Sequence, residues 1–284
     1  MPRWAPEPPV PLPPGYVVHV PGRGEMFLRD SGGDGPPVLL LHGWMFSADL
    51  NWYRTFAPLA EAGYRVLAVD HRGHGRGLRS PDPFSLRECA ADAAGLLAHL
   101  QIPPALAVGY SMGGPIAALL ARHHPEWVSG LVLCATAMDW SGPRMKAFWR
   151  TMAGLRLAMG LAPESIWRRG LKAGGFPESP TTTWTAAELS RGNSVDIAEA
   201  GRELGRFDSR AWIAGLDARG AVIVTTQDTA VPAPKQRALA AAMSAPTFDV
   251  RGDHSAVITR SESFNEQLLA ALDAVRDPRA AAAP

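Results

Sequence analysis

The chain has 284 residues, 46% apolar and 19% charged, enough to bury one large core in the manner of an ordinary globular protein. A formal net charge of +1 supplies no field to draw in nucleic acid or an anionic membrane, and no stretch approaches the apolar length of a membrane span. The two cysteines, Cys89 and Cys134, fall in apolar runs and read as buried reduced thiols.

Residues 2–14 hold seven prolines and no apolar signal-like stretch, so 1–15 reads as an extended arm and the chain as cytoplasmic. Eight short apolar runs follow as strands: Tyr16–Val20, Glu25–Arg29, Val38–His42, Arg65–Val69, Ala105–Tyr110, Leu131–Ala135, Ala221–Thr225 and Thr247–Arg251. Only Pro21-Gly22-Arg23-Gly24 separates the first two, which predicts an antiparallel hairpin at one sheet edge. The other six are nearly continuous apolar runs, as expected of parallel strands covered on both faces. Helical spacing appears at about 49–61, 85–100, 112–124, 234–243 and 262–274. In the second of these, Leu86, Cys89, Ala93, Leu96, Leu97 and Leu100 make one buried face. This alternation predicts an α/β fold with an eight-stranded, mostly parallel sheet flanked by helices.

One interval breaks the rhythm. About 80 residues separate Ala135 from Ala221, far more than a crossover needs. Residues 139–215 therefore read as a helical cap inserted into a core made of 16–138 and 216–275, with 276–284 as a tail. Within it, Met145, Phe148, Trp149, Met152, Leu155 and Met159 share one helical face. That face either packs over the core or lines a pocket as a lid.

The chemistry gathers at strand ends. Gly109-Tyr110-Ser111-Met112-Gly113 joins a strand to a helix, the setting of a nucleophile elbow. The turn is tight enough to require almost no side chain two residues before and two after the serine. Its helix begins at once, so backbone N–H groups and the positive dipole end face any anion formed there. A serine hydroxyl needs an adjacent base near neutral pH. His254, in Arg251-Gly252-Asp253-His254-Ser255 after the last strand, is placed to supply it. A carboxylate must then fix the imidazole. Asp228 follows the strand at 221–225 and is the leading candidate; Asp139 is its rival, and Asp253, as the neighbour of His254, should point away. Two donors are needed for an oxyanion. Met112 N–H follows the nucleophile, and Trp44 N–H lies in the loop Leu41-His42-Gly43-Trp44-Met45. The expected pocket wall comprises Trp44, Tyr110, Phe148, Trp149 and Met152. His42 reads as packing under its loop.

Other motifs carry less. Gly73-His74-Gly75-Arg76-Gly77 reads as a turn rather than a phosphate cradle. Asp70, His71 and His74 match no standard metal spacing. No metal and no organic cofactor is expected.

The combination of His42-Gly43-Trp44, Asp70-His71-Arg72-Gly73-His74-Gly75, Gly109-Tyr110-Ser111-Met112-Gly113-Gly114, Asp228 with Val231-Pro232, and Gly252-Asp253-His254 resembles the α/β-hydrolase family over about residues 16–275. Its serine carboxylesterase and lipase-like branch is the nearest in pattern. The resemblance implies a sheet with a cap and Ser111–His254–Asp228 as a triad. Serine at the nucleophile position argues against the dehalogenase and epoxide-hydrolase branches, which carry aspartate there. Arg76-Gly77 departs from relatives, which place a serine shortly after this loop. The implied activity is hydrolysis of a small-molecule ester with apolar acyl or alkyl groups. Alternatives with the same triad are C–C bond hydrolysis, thioester or lactone hydrolysis and perhydrolysis; a non-catalytic small-ligand receptor is an alternative of another class. No nucleic-acid partner and no stable membrane association are expected.

Overall fold

Successive residues of a strand point to opposite sides of its sheet. Leu39 and Leu41 accordingly enter one apolar layer, and Val38 and Leu40 the other. The computed structural model describes residues 6–276 except 141, 143–146, 148, 152, 153, 155 and 158–162. Its strands are β1 (Gly15–Val20), β2 (Gly24–Asp30), β3 (Pro37–Leu41), β4 (Arg65–Val69), β5 (Ala105–Tyr110), β6 (Val128–Cys134), β7 (Gly220–Thr225) and β8 (Thr247–Val250). They form one sheet in the order β1-β2-β4-β3-β5-β6-β7-β8. β2 pairs antiparallel with both β1 and β4, and every later pairing is parallel. The hairpin expected at the edge is therefore present, and the six continuous apolar runs are the parallel strands.

Helices cover both faces. α1 (Ala48–Trp52), α2 (Phe56–Glu61) and α10 (Ser261–Val275) bury Trp52, Phe56, Leu59, Phe264 and Leu268 against one side. α3 (Leu86–His99), α4 (Gly113–His123) and α8 (Ala233–Ala242) bury Leu96, Ile116, Leu120 and Leu239 against the other. A short α9 (Ala256–Thr259) precedes α10. The single helix expected over 49–61 is two helices. Pro58 has no N–H to give the Arg54 carbonyl, and its ring crowds that group, so the chain turns at Tyr53–Thr55 and restarts with Pro58 in the first turn of α2. From Val10 the proline-rich arm is packed: Val10 and Leu12 lie on the core, and the Pro13 carbonyl accepts from Arg29 Nη1 at 2.6 Å.

The long interval between β6 and β7 contains α5 (Pro163–Ala173), α6 (Pro180–Leu189) and α7 (Ser194–Leu204). Its two ends meet in an antiparallel bridge between Asp139 and Asp208, flanked by Ser209 N–H to Met138 O at 2.7 Å. The segment is tied to the core by ions as well as by packing. Glu188 of α6, fully buried, accepts from Ser47 Oγ at 2.7 Å and pairs with Arg76 at 2.7 Å and Arg191 at 2.7 Å. Arg76 is thus one of the ties that hold α6 to the core. Met145, Phe148, Met152, Leu155 and Met159 lie outside the described residues. No helix among the described residues is long and apolar enough to cross a membrane.

Candidate active site

The turn after β5 is built by exclusion of side chains. A Cβ on Gly109 would lie 2.2 Å from Gly113 O, and one on Gly113 would lie 2.0 Å from Leu41 O. No larger residue fits either place, so β5 can run straight into α4 with a single sharp residue between. That residue is Ser111, held at φ 53°, where a residue with a side chain is strained. Ser111 N–H donates to Cys134 O at 2.9 Å and Thr136 Oγ1 donates to Ser111 O at 2.8 Å, which hold the turn in that shape.

His254 and Asp228 reach the same sheet edge from the loops after β8 and β7. His254 Nε2 lies 2.9 Å from Ser111 Oγ and Nδ1 lies 2.7 Å from Asp228 Oδ2. In the neutral imidazole, Nδ1–H donates to the carboxylate, which leaves Nε2 to accept the serine proton. Asp228 is buried, and its Oδ1 accepts backbone N–H groups from Ala230 at 2.8 Å and Val231 at 2.9 Å. The other two carboxylate candidates are elsewhere: Asp139 pairs with Lys235 at 3.1 Å, and Asp253 accepts from Ser255 N–H and Oγ. Tyr110 does more than line the pocket. Its buried hydroxyl donates to the His254 carbonyl at 2.8 Å, fixing the histidine loop from below.

The loop after β3 is clamped from two sides. Gly43 N–H donates to Asn51 Oδ1 at 2.9 Å, and the Gly43 carbonyl lies 2.8 Å from His42 Nδ1. His42 Nε2 accepts from His71 N–H at 3.0 Å, so the proton sits on Nδ1 and donates to Gly43. Burial, followed by the neighbouring His71 and His74, holds His42 well below the usual imidazole range, which keeps this tautomer neutral. His42 thus packs under the loop as expected. Met112 is the N-cap of α4, where N–H groups have no partner within the helix.

These loops enclose a cavity of about 450 Å³ with Ser111 and His254 in its wall. Trp44, Tyr110 and Trp149 of the expected wall line it; Phe148 and Met152 lie outside the described residues. Trp44 meets Trp149 edge to face at 5.2 Å, and its Nε1–H donates to Ile197 O of α7 at 2.8 Å. Met45, Phe46, Asn51, Trp140 and Leu204 also line the cavity and were not singled out in the sequence. Asn51 had a weak signal, a polar residue among the apolar positions of a helix.

A family model described as the alpha/beta hydrolase fold matches residues 36–159, from the start of β3 past the elbow and β6 into the segment that follows. Over that stretch the chain is similar to the α/β-hydrolase family, and its sheet has the α/β-hydrolase fold. Among curated relatives, a non-heme haloperoxidase from Rhodococcus erythropolis is 40% identical over 110 residues, covering 38% of this chain and only 39% of that protein's length. A 3-oxoadipate enol-lactonase from Acinetobacter baylyi is 26% identical over 213 residues, covering 74% of this chain and 79% of the relative. An esterase structure from Exiguobacterium antarcticum superposes with a TM-score of 0.77 at 20% identity, covering 91% of this chain and 99% of that one. The last is a likeness of fold. Within the α/β-hydrolase frame, the elbow, the Asp228 loop and the His254 loop sit at the C-terminal ends of parallel strands, where such sheets gather their sites.

Proposed function

We propose that the chain is a serine hydrolase that cleaves carboxylic esters with apolar acyl or alkyl groups. The observation that carries this reading is the Ser111–His254–Asp228 hydrogen-bonded chain opening on an apolar cavity. His254 takes the Ser111 proton as Oγ attacks the ester carbonyl. Trp44 and Met112 N–H groups receive the tetrahedral oxyanion. Imidazolium then protonates the leaving alcohol, and water, activated by the same histidine, releases the acid from the acyl-enzyme.

The wall of Trp44, Tyr110, Trp149 and Leu204 favours hydrocarbon over charge. The inserted segment, read as a cap, closes the acyl side through Trp149 and Leu204. A lactone is an internal ester, and the likeness to an enol-lactonase over 79% of that protein supports lactones as a second substrate class. The reaction uses no metal or organic cofactor, and we place it in the cytoplasm, acting on small molecules.

A series of p-nitrophenyl esters from acetyl to dodecanoyl tests the reading. Hydrolysis with a chain-length optimum, abolished in Ser111→Ala, is the expected result. Unchanged hydrolysis in Ser111→Ala would remove the serine mechanism.

A further inference from the structure

Asp228 does not stand alone behind His254. Its Oδ2, the oxygen that faces the imidazole, also accepts from Thr225 Oγ1 at 2.8 Å. Thr225 Oγ1 in turn lies 2.8 Å from Gln236 Nε2, on the first turn of α8. Both side chains are fully buried. The direction of each bond follows from the partners. Thr225 N–H needs an acceptor and finds Gln236 Oε1 at 3.0 Å; Val231 O needs a donor and finds Gln236 Nε2 at 2.7 Å. The amide is therefore oriented by its surroundings. Its nitrogen can only donate, so the Thr225 oxygen accepts there and its single proton is left for Asp228.

We propose that Thr225 and Gln236 are positioning residues that fix Asp228 Oδ2 against His254 and set how strongly it stabilises the imidazolium. This rests on the reading of Ser111, His254 and Asp228 as a triad. Gln236 spans the Asp228 loop, holding Thr225 at its start and Val231 at its end. With His254, Ala230, Val231 and Thr225 in place, both carboxylate oxygens accept two short hydrogen bonds each. A buried apolar pair of the same volume would fill this space without the cost of desolvating an amide and a hydroxyl. The polar pair instead delivers a proton to the one oxygen that contacts the base.

The consequence has a sign. The Thr225 proton draws charge from Oδ2, so its loss leaves more charge facing the imidazolium and favours the protonated base. The titratable groups facing His254 are Asp228, Ser111 and Tyr110, while Asp253 is turned to Ser255.

Thr225→Val keeps the shape and removes the hydroxyl. The expected result is a kcat about tenfold lower, because Oδ2 is no longer held in line with Nδ1 and this outweighs the added charge, KM within about twofold, and the acid limb of kcat/KM displaced to higher pH. Thr225→Ser should restore both. Gln236→Met, which leaves the hydroxyl without its anchor, should move kcat and the acid limb in the same direction, and serves if the valine variant does not fold. A folded Thr225→Val with the wild-type profile overturns the proposal, as does Thr225→Ser behaving like the valine variant. Ser111→Ala run alongside separates the two levels: hydrolysis that persists there overturns the triad itself, whatever position 225 does.

Discussion

Three buried histidines make the fold sensitive to acid, and the size of the effect can be worked from their surroundings. Burial, followed by His74, pushes His71 down to about 3, and burial pushes His74 down to about 4. His42 is shifted the same way. A histidine whose folded value is depressed stays neutral in the fold while the unfolded chain takes up a proton, so stability is present above about pH 6.5 and falls below it. At pH 5, His71 and His74 each remove about 2 kcal/mol relative to pH 8, and His42 adds to the loss. Asp70 works against them. Burial raises it to about 6 despite N–H donors from Ala48 and Arg76, so the folded state takes a proton there first and regains about 1 kcal/mol by pH 5. The net loss is a large part of the stability of an ordinary domain. His74→Asn keeps a donor for the Arg72 carbonyl, which lies 3.0 Å from His74 Nδ1, and removes the titration. Urea unfolding at pH 8 and pH 5 should show the variant losing about 2 kcal/mol less than wild type between the two. Groups that do not touch His74 cancel in that difference, and relief of His71 and His42, which His74 helps to hold down, adds to it. Equal losses in the two proteins would show that His74 is not held neutral by the fold.

The remaining predictions concern the site and its support. Gly113→Ala places a methyl 2.0 Å from Leu41 O, so the elbow must move, and kcat in ester hydrolysis should fall at least about 100-fold in protein that remains folded by circular dichroism. Asn51→Leu removes the acceptor of Gly43 N–H; kcat should drop about tenfold or more with little change in KM, seen in initial rates. Glu188→Ala removes the buried acceptor of Ser47 and one of the carboxylates paired with Arg76, which keeps Asp49 at 3.2 Å, and should cost about 2 kcal/mol in urea unfolding, whereas Arg191→Ala, at the more exposed end, should cost less than about 1 kcal/mol.

Much of the fold is legible because the sheet is buried on both faces. Runs such as Val38–Leu41 and Leu106–Val108 have no polar interruption, and their ends fall where glycine, proline or a helix start intervenes. The elbow is legible because its tightness dictates glycine at 109 and 113. The order of residues along the chain also made His254 and Asp228 readable as the partners of Ser111, and the structure brings all three together. What escaped depends on contacts between distant segments. Nothing near Arg76 says that its partner is Glu188, 112 residues away, nor that Asn51 serves Gly43. Gln236 reads as an ordinary surface residue of a polar helix turn until α8 is laid against β7. The break at 53–55 was the exception, since Pro58 announces it locally.

The proposed mechanism requires Ser111 to be an activated nucleophile. Incubation of the purified protein with a fluorophosphonate, followed by intact-mass and peptide mass spectrometry, addresses that directly. A single adduct on Ser111, absent from Ser111→Ala and formed more slowly in Asp228→Asn, is the predicted result. A folded wild-type protein that takes no label, or takes it at another residue, would contradict it.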